Sequence, residues 1–519
     1  MNKSLLEKLL DFYHITYEEY LSLVRDVSLD TFAEGHQFDD IDKAVNLVKE
    51  TMNNNGKIII YGDYDADGIM GTSILIKMFS YLDYVADYYI PSRYLEGYGL
   101  TLKHAQEYVE NGYSLLIAVD NGISAFEPIE YLHNHGVKVL VLDHHQVQEE
   151  IPLADVIIHP TYSHFSLEAS SGAFTAFMFS CALLGRKDKY LATLASISLI
   201  SDMMPLKNFN RDLLRICTEN YKVGEFLPID LLADKEGFNY EIIGMKIAPR
   251  INSIGRIIED NSVNEIVRFF TSDDQGFILN YFSYILQTNE LRKNLSKEMV
   301  GESFDFDNSH AIVVLGDYKE GIIGLIANNL MNKYHVPTIV FTKSLDGTYK
   351  GSARSPEGFD IVKAFNELSP HLLTFGGHAM AGGCSIKAEK YEEFKKAFIS
   401  LAESTPMEYV EHPTIDIGFN DFNMENYELI NSFSPFGEGW SAPSFKLKHV
   451  KTSVLTYSKD SNHILTMVGR NLKIVGFNFP KKEIEKNMFI NIIGGFKKTY
   501  YRSVATLEFR ISKIEACDN

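Results

Sequence analysis

Long apolar runs are missing from this sequence. None of its hydrophobic stretches approaches the roughly 18 to 20 residues that a membrane span needs, and the opening MNKSLLEKLLDF carries charges where a secretory leader would hold an apolar block. Cysteine is scarce. Cys181, Cys217, Cys384 and Cys517 lie far apart, form neither a CxxC pair nor a dense framework, and fit free thiols in a reducing cytoplasm. Tandem repeats and low-complexity tracts are absent too. What remains is a 519-residue chain, 45% hydrophobic and 12% aromatic, with the composition of a folded protein and too much length for one ordinary core. Two to four domains are expected.

Positive charge is in short supply overall, and a formal net charge of −20 argues at first against nucleic acid. The average hides an asymmetry. From Lys446 to Asn519 there are 14 Lys and Arg against 6 Asp and Glu, a balance of +8 that leaves −28 on the preceding 445 residues. This reads either as a basic module on an acidic body or as ordinary variation in a small tail domain.

Short β-branched runs alternate with helix-length segments. KIIIYGD precedes an apolar segment at 72–81, SLLIAVD a helix over about 125–135, VKVLVLD ends at Asp143, and ADVIIHP leads into Pro160. Strands apolar on both faces and separated by helices predict a parallel sheet covered on both sides. A long amphipathic helix is expected over 276–300. A second α/β unit follows, with AIVVL, a helix in GIIGLIANNLMNKY, and PTIVF. From about Lys446 some five short β runs predict a small barrel of the OB type.

In parallel sheets ligands bind at the carboxyl ends of strands, and that is where the acids stand. Asp63, Asp65 and Asp67 follow the first strand in YGDYDADG, Asp120 ends the second in VDNG, and Asp143-His144-His145 ends the third. Carboxylates this close repel one another unless a cation sits between them. Several aspartates with one or two imidazoles suit Mn²⁺ or Mg²⁺ rather than thiolate-held zinc. With acids enough for two ions, the cluster matches the two-metal arrangement for phosphodiester hydrolysis. Alone, DYDADG also fits a turn, or a calcium loop lacking its twelfth-position glutamate, where Ile74 stands. Alone, DHH also fits a capped helix start. Three such clusters at strand ends in one sheet favour a metal site.

YGDYDADG, VDNG, LDHH and SLISDMMPL resemble, in order and spacing, the four motifs of the DHH phosphoesterase superfamily, and FGGHAMAGG resembles the glycine-histidine motif of its DHHA1 domain. RYLEGYGL, APRINSIGRI, GSARS and SPFGEGWSAP are similar to stretches of its single-strand-specific 5′→3′ exonuclease branch, over nearly the whole chain from about residue 50. The resemblance implies a parallel-sheet DHH domain joined by a long helix to a smaller α/β DHHA1 domain, then an OB-like β-barrel. The expected boundaries are an N-terminal helical segment at 1–50, a catalytic domain at 51–272, a connecting helix at 273–302, DHHA1 at 303–405, a linker at 406–445 and the OB-like domain at 446–519.

Residue by residue, the resemblance implies metal ligands at Asp65, Asp67, Asp120, His144 and Asp202, with Asp63 a further contributor. His145 and Asp143 are the implied catalytic residues, His145 facing the substrate phosphate. Arg93, Ser352 and Arg354 are implied at the DNA end, Arg250, Asn252 and Arg256 along the strand path, and His378 at a phosphate or base. In the tail, Lys497, Lys498 and Arg502 flank Tyr500 and Tyr501, the mixture of cations and aromatics that strand-binding barrels use. Two departures stand out: Tyr318-Lys319 replaces the usual Trp-His, and Gly439-Trp440-Ser441 the usual Gly-Asn-Pro.

The implied activity is a cytoplasmic, monomeric exonuclease that uses two divalent ions, Mn²⁺ before Mg²⁺, to release mononucleotides from the 5′ end of single-stranded DNA in repair and recombination. Its implied partners are single-stranded DNA and repair proteins such as a helicase or a single-strand-binding protein, with no membrane. A nuclease of short oligonucleotides or a cyclic-dinucleotide phosphodiesterase is a second reading, which the basic tail opposes. A non-catalytic DNA-bound scaffold is a third, which the complete acidic set opposes.

Overall fold

The computed structural model describes residues 3–34, 36–97, 99–162, 169–301, 310–344, 347–407, 412–468, 472–484, 486, 488–501 and 504–517, with side chains at all of these except 261, 298–301, 500, 501 and 504. The chain divides into two units, Leu29–Val410 and Met1–Ser28 with Glu411–Asn519. Among the described residues no helix is long and apolar enough to cross a membrane.

The larger unit holds two sheets. In the first, β1 (Lys57–Tyr61), β2 (Asp87–Tyr89), β3 (Tyr113–Val119), β4 (Lys138–Leu142) and β5 (Val156–Ile158) lie in the order β2-β1-β3-β4-β5, every pair parallel. Leu115 to Val119 and Val139 to Leu142 are wholly buried, as continuous apolar strands between helix layers should be. The helices Ala66–Ser80, Gly172–Leu184 and Lys189–Ser201 are buried nearly all round, which marks them as interior helices. Because β1, β3 and β4 are neighbours, the loops after them open at one edge of the sheet.

The second sheet runs β6-β7-β8-β10-β9, with β6 (Ile312–Gly316), β7 (Thr338–Lys343), β8 (Thr348–Arg354), β9 (Thr374–His378) and β10 (Ala381–Lys387). Only β6 and β7 pair in parallel. The 27-residue helix Gln275–Gly301 precedes it, and Ile257 packs into the cluster formed by β6, β7 and the helix Glu320–Tyr334. Two close approaches fix that packing: a Cβ on Gly321 would lie 2.3 Å from the Arg256 carbonyl oxygen, and one on Gly255 2.1 Å from that of Tyr64.

The smaller unit is a six-stranded mixed sheet, β11-β12-β15-β16-β14-β13, from β11 (Ile415–Ile417), β12 (Phe445–Lys451), β13 (Ile464–Met467), β14 (Leu472–Gly476), β15 (Phe489–Tyr501) and β16 (Val504–Ala516). Two expected boundaries are corrected here. The 406–445 stretch is no linker, because it supplies β11, the helix Met424–Asn431 and the start of β12. Nor is 1–50 one segment: residues 1–28 fold with the tail, whereas the helix Ile41–Asn53 belongs to the larger unit. The physical reason is packing. Leu9 is wholly buried in one core with Phe433, Phe445 and Phe509, and Tyr13 stacks on Trp440 at 4.3 Å while its hydroxyl donates to the Ser441 carbonyl at 2.8 Å. The unusual Trp440-Ser441 pair is therefore an anchor for the N-terminal helices, whose starts are fixed by capping boxes at Ser4 with Glu7 and Thr16 with Glu19.

Candidate active site

The strand-end acids converge. Asp65 caps the helix Ala66–Ser80, its Oδ1 accepting from the Asp67 and Gly68 N–H groups at 2.9 and 3.2 Å. Asp67, one residue inside, turns away and accepts from Gly172 and Ala173 N–H at 2.7 and 2.8 Å, the first turn of a second helix. Only glycine permits that approach, since a Cβ at 172 would stand 2.7 Å from the Asp120 Cβ. Asp120 leaves β3 with a φ of 60°, a left-handed conformation that is unusual outside glycine and recurs at functional positions. Asp202 ends the helix Lys189–Ser201.

His144 is the hub of this group. Its Nε2 lies 3.1 Å from Asp120 Oδ1 and 3.5 Å from both Asp67 Oδ2 and Asp202 Oδ2. Three overlapping sets have the spacing to hold a metal ion: Asp120-His144-His145, Asp67-His144-Asp202 and Asp63-Asp65-Asp120. The donors also fit such an ion chemically, being oxygen-rich with imidazole, and Asp63 Oδ1 is buried with no hydrogen-bond partner among the described residues. Burial and then the neighbouring carboxylates push the Asp63 and Asp120 carboxyls far up and Asp202 up to about 8. Burial lowers His144, keeping its imidazole in the neutral form that a ligand requires.

Asp143 does a different job. Wholly buried, it accepts from the Ile123, His144 and His145 N–H groups at 2.9, 2.7 and 3.2 Å and from His145 Nδ1 at 2.8 Å. Burial alone would raise its carboxyl, yet the bond and charge of His145 hold it at about 2; burial would lower His145, yet Asp143 carries it to about 9. His145 is thus an imidazolium whose side chain is 42% exposed, set 3.9 Å from Asp120 Oδ1.

Beside the acids lies a cationic cavity of about 620 Å³, lined by Arg93, Arg256, Lys350, Ser352 and Arg354 with the glycine backbone at 321 and 324. The Arg93 guanidinium sits 4.2 Å over the ring of Tyr64, between Asp63 and Asp65 in sequence, and its buried Nε has no partner among the described residues. Arg354 donates to Ser352 Oγ at 3.2 Å. Burial brings Arg256 down to about 10, with the neighbouring Arg93 adding to the shift.

Four residues that the resemblance named for DNA contacts are not among those lining this cavity. Arg250 makes a fork-to-fork pair with Asp234, both contacts at 2.9 Å, and so braces a turn. Asn252 accepts from Ala66 N–H at 2.8 Å and so holds the loop of Asp65. His378 stands exposed on the edge strand β9 and is not among the residues lining the cavity. Lys498 is engaged by Glu428 at 2.8 Å. Lys497 lies on β15 opposite Glu508. The side chains of Tyr500 and Tyr501, and Arg502 altogether, lie outside the described residues.

Sequence reasoning missed two participants. Lys350, one residue before GSARS, lines the cavity, where Glu320 pairs with it at 3.0 Å. His159 is 3% exposed; its Nδ1 accepts from Thr161 N–H at 3.1 Å, so its Nε2 carries the proton and donates to the His145 carbonyl at 2.9 Å. Its place at the end of ADVIIHP, a strand adjoining the one that ends in DHH, was the available signal.

Comparison with known proteins agrees with this geometry. The DHH family N-terminal domain matches residues 57–200, the DHHA1 domain residues 307–404 and the RecJ OB domain residues 415–513. The chain thus carries a DHH family N-terminal domain, a DHHA1 domain and a RecJ OB domain in that order. It is similar to the single-stranded-DNA-specific exonuclease RecJ of Haemophilus influenzae, 29% identical over 92% of this chain and 90% of that one. It is 30% identical to that of Bacillus subtilis over 89% of this chain, though it spans only 62% of that relative's length. Among solved structures, RecJ in complex with Mn²⁺ from Thermus thermophilus shares the fold, with a TM-score of 0.83 at 22% identity over 99% of this chain and 78% of that one. An exonuclease RecJ bound to manganese matches with a TM-score of 0.61 at 28% identity, over 71% of this chain and 96% of that one.

Proposed function

We propose that the protein is a metal-dependent exonuclease that hydrolyses single-stranded DNA from its 5′ end and releases mononucleotides. The observation that carries this reading is the pairing of a buried carboxylate-imidazole cluster with a cationic cavity beside it. One suits metal ions and the other suits phosphate. The names of the relatives support the substrate class, and their manganese-bound structures support Mn²⁺; the overlapping ligand sets offer enough donors for the two ions this reading takes.

In this reading Asp63, Asp65, Asp67, Asp120, Asp202 and His144 hold the ions, which when bound supply Lewis-acid charge and a water activated for attack on phosphorus. Arg93, Arg256 and Arg354 bind the terminal phosphate, whose charge of about −1.5 to −2 matches guanidinium forks. Ser352 donates to the same phosphate. His145, kept protonated by Asp143, donates to a non-bridging oxygen of the scissile phosphate as charge develops there. His159 and Asp143 hold that imidazole in place. The single-strand preference is carried over from the names of the relatives.

The test uses a 5′-labelled single strand, its duplex, a 3′-labelled single strand and a dinucleotide, each with Mn²⁺ or EDTA. Release of labelled mononucleotide from the 5′ end of the single strand, abolished by EDTA, is the expected result. Rapid cleavage of the dinucleotide with little attack on the long strand would replace this reading with that of a short-oligonucleotide nuclease.

A further inference from the structure

Arg93 and Arg256 line the cationic cavity together, and the charge of Arg93 adds to the shift that burial imposes on Arg256. Two guanidiniums this near repel each other. One phosphate meets both only if the segments that carry them are held at a fixed spacing. The residues that do the holding, Tyr94 and Lys319, are not among those lining the cavity.

Tyr94 follows Arg93 in the chain. Its hydroxyl donates to the Arg256 carbonyl and accepts from Gly321 N–H at 3.3 Å, while Arg256 Nη1 donates to the Gly321 carbonyl at 3.1 Å. Burial raises the Tyr94 phenol, which therefore keeps the proton it donates. A single hydroxyl thus joins the loop of Arg93, the helix Ala248–Ile257 that bears Arg256, and the first turn of the helix Glu320–Tyr334. On the other side of Arg93, the buried Ser92 donates from Oγ to the Glu259 carbonyl at 2.8 Å and from its N–H to Glu96 Oε2 at 2.9 Å. Arg93 is pinned through both of its neighbours.

Lys319 belongs to one of the two departures from the resemblance, and the structure gives it a use. Its ammonium pairs with Glu259, donates to the Ile257 carbonyl at 3.4 Å and stands 5.8 Å from the centre of the Tyr94 ring. The stretch 256–259 is therefore fastened from three sides, by Ser92, Tyr94 and Lys319. We propose that Tyr94 and Lys319 are positioning residues for the 5′ end of the strand: by tying 92–94 and 319–321 to 256–259, they set the spacing at which Arg93 and Arg256 meet one terminal phosphate. The proposal rests on the exonuclease reading. A terminal monoester carries more charge than an internal diester, so holding two repelling guanidiniums together favours a phosphorylated end over a hydroxyl end.

The test measures release of the first nucleotide from 5′-phosphorylated and 5′-hydroxyl single strands with Mn²⁺. Tyr94→Phe keeps the ring and removes the hydroxyl. It is expected to raise KM on the phosphorylated strand about tenfold, the scale of one or two hydrogen bonds lost, with kcat, the hydroxyl strand and the Mn²⁺-induced rise in Tm as in wild type. Lys319→Met should raise the same KM about threefold, and Lys319→Arg, which can still meet Glu259, should restore it. An unchanged KM on the phosphorylated strand in Tyr94→Phe would overturn the proposal. So would an equal loss on both strands, which marks a residue that serves the fold alone, or a Lys319→Arg variant as impaired as Lys319→Met. Failure of the exonuclease reading looks different: wild-type protein would degrade neither strand.

Discussion

Two clusters of like charge lie side by side in the larger unit, one of carboxylates and one of guanidiniums, and neither is neutralised from within. His144 is the shared neighbour of Asp67, Asp120 and Asp202, yet burial keeps it neutral. The arginine cavity holds Glu320, but that carboxylate is engaged with Lys350. Elsewhere charges such as Arg250 with Asp234 or Lys498 with Glu428 are paired. The contrast teaches which charges are structural and which await a ligand: a paired ion braces the fold, whereas an uncompensated cluster is tolerated because a cation or an anion completes it.

The largest effect expected is at the acidic cluster. Asp120→Ala should reduce exonuclease activity to the level seen with EDTA and remove the rise in Tm that Mn²⁺ gives the wild type. Its Tm without metal should be equal to or higher than that of wild type, since one repulsive carboxylate is gone. A variant that loses activity and also unfolds without metal would mean that the acids are structural after all.

At the cationic cluster, Arg354→Ala should cut kcat/KM about 10- to 100-fold on a 5′-phosphorylated strand, the scale of one charged hydrogen bond lost, and change little on a 5′-hydroxyl strand. Competition between the two ends reads this directly. His159→Gln should lower kcat by about tenfold, as loss of a group that orients a catalytic residue does, with KM and the Mn²⁺ titration unmoved; a fall in Mn²⁺ affinity would show that His159 acts through the metal ligands instead.

Acidity sharpens the same contrast. Asp202 sits at about 8 and Asp63 and Asp120 are raised well above their ordinary values before metal binds, so binding must displace protons. Apparent Mn²⁺ affinity should therefore rise with pH, and below pH 8 it should fall by about tenfold per unit for each proton displaced. Calorimetry in buffers of different ionisation enthalpy counts those protons. Arg250→Ala, the smallest effect, should cost about 1 kcal/mol of stability and leave the preference for phosphorylated ends intact.

How much of this was legible beforehand depended on distance along the chain. The acids after β1, β3 and β4 were legible because a parallel sheet brings successive strand ends to one edge. Asp202 came only from resemblance, since an aspartate closing an apolar helix looks like any helix end. The partners of Arg250 and Asn252 were not legible because a short stretch does not say which way a helix faces: two residues apart, they lie about half a turn apart, one toward Asp234 and the other toward Ala66. The N-terminal helices were assigned to no partner because theirs, Phe433 and Trp440, lies more than 400 residues away.

The most direct test of the central claim is anomalous diffraction at the manganese edge from crystals soaked in Mn²⁺. The account predicts peaks within ligand distance of His144 Nε2 and the carboxylates of Asp67, Asp120 and Asp202, with further density shared by Asp63 and Asp65. Manganese bound elsewhere, with those carboxylates left without a cation at a pH where activity is full, would contradict it.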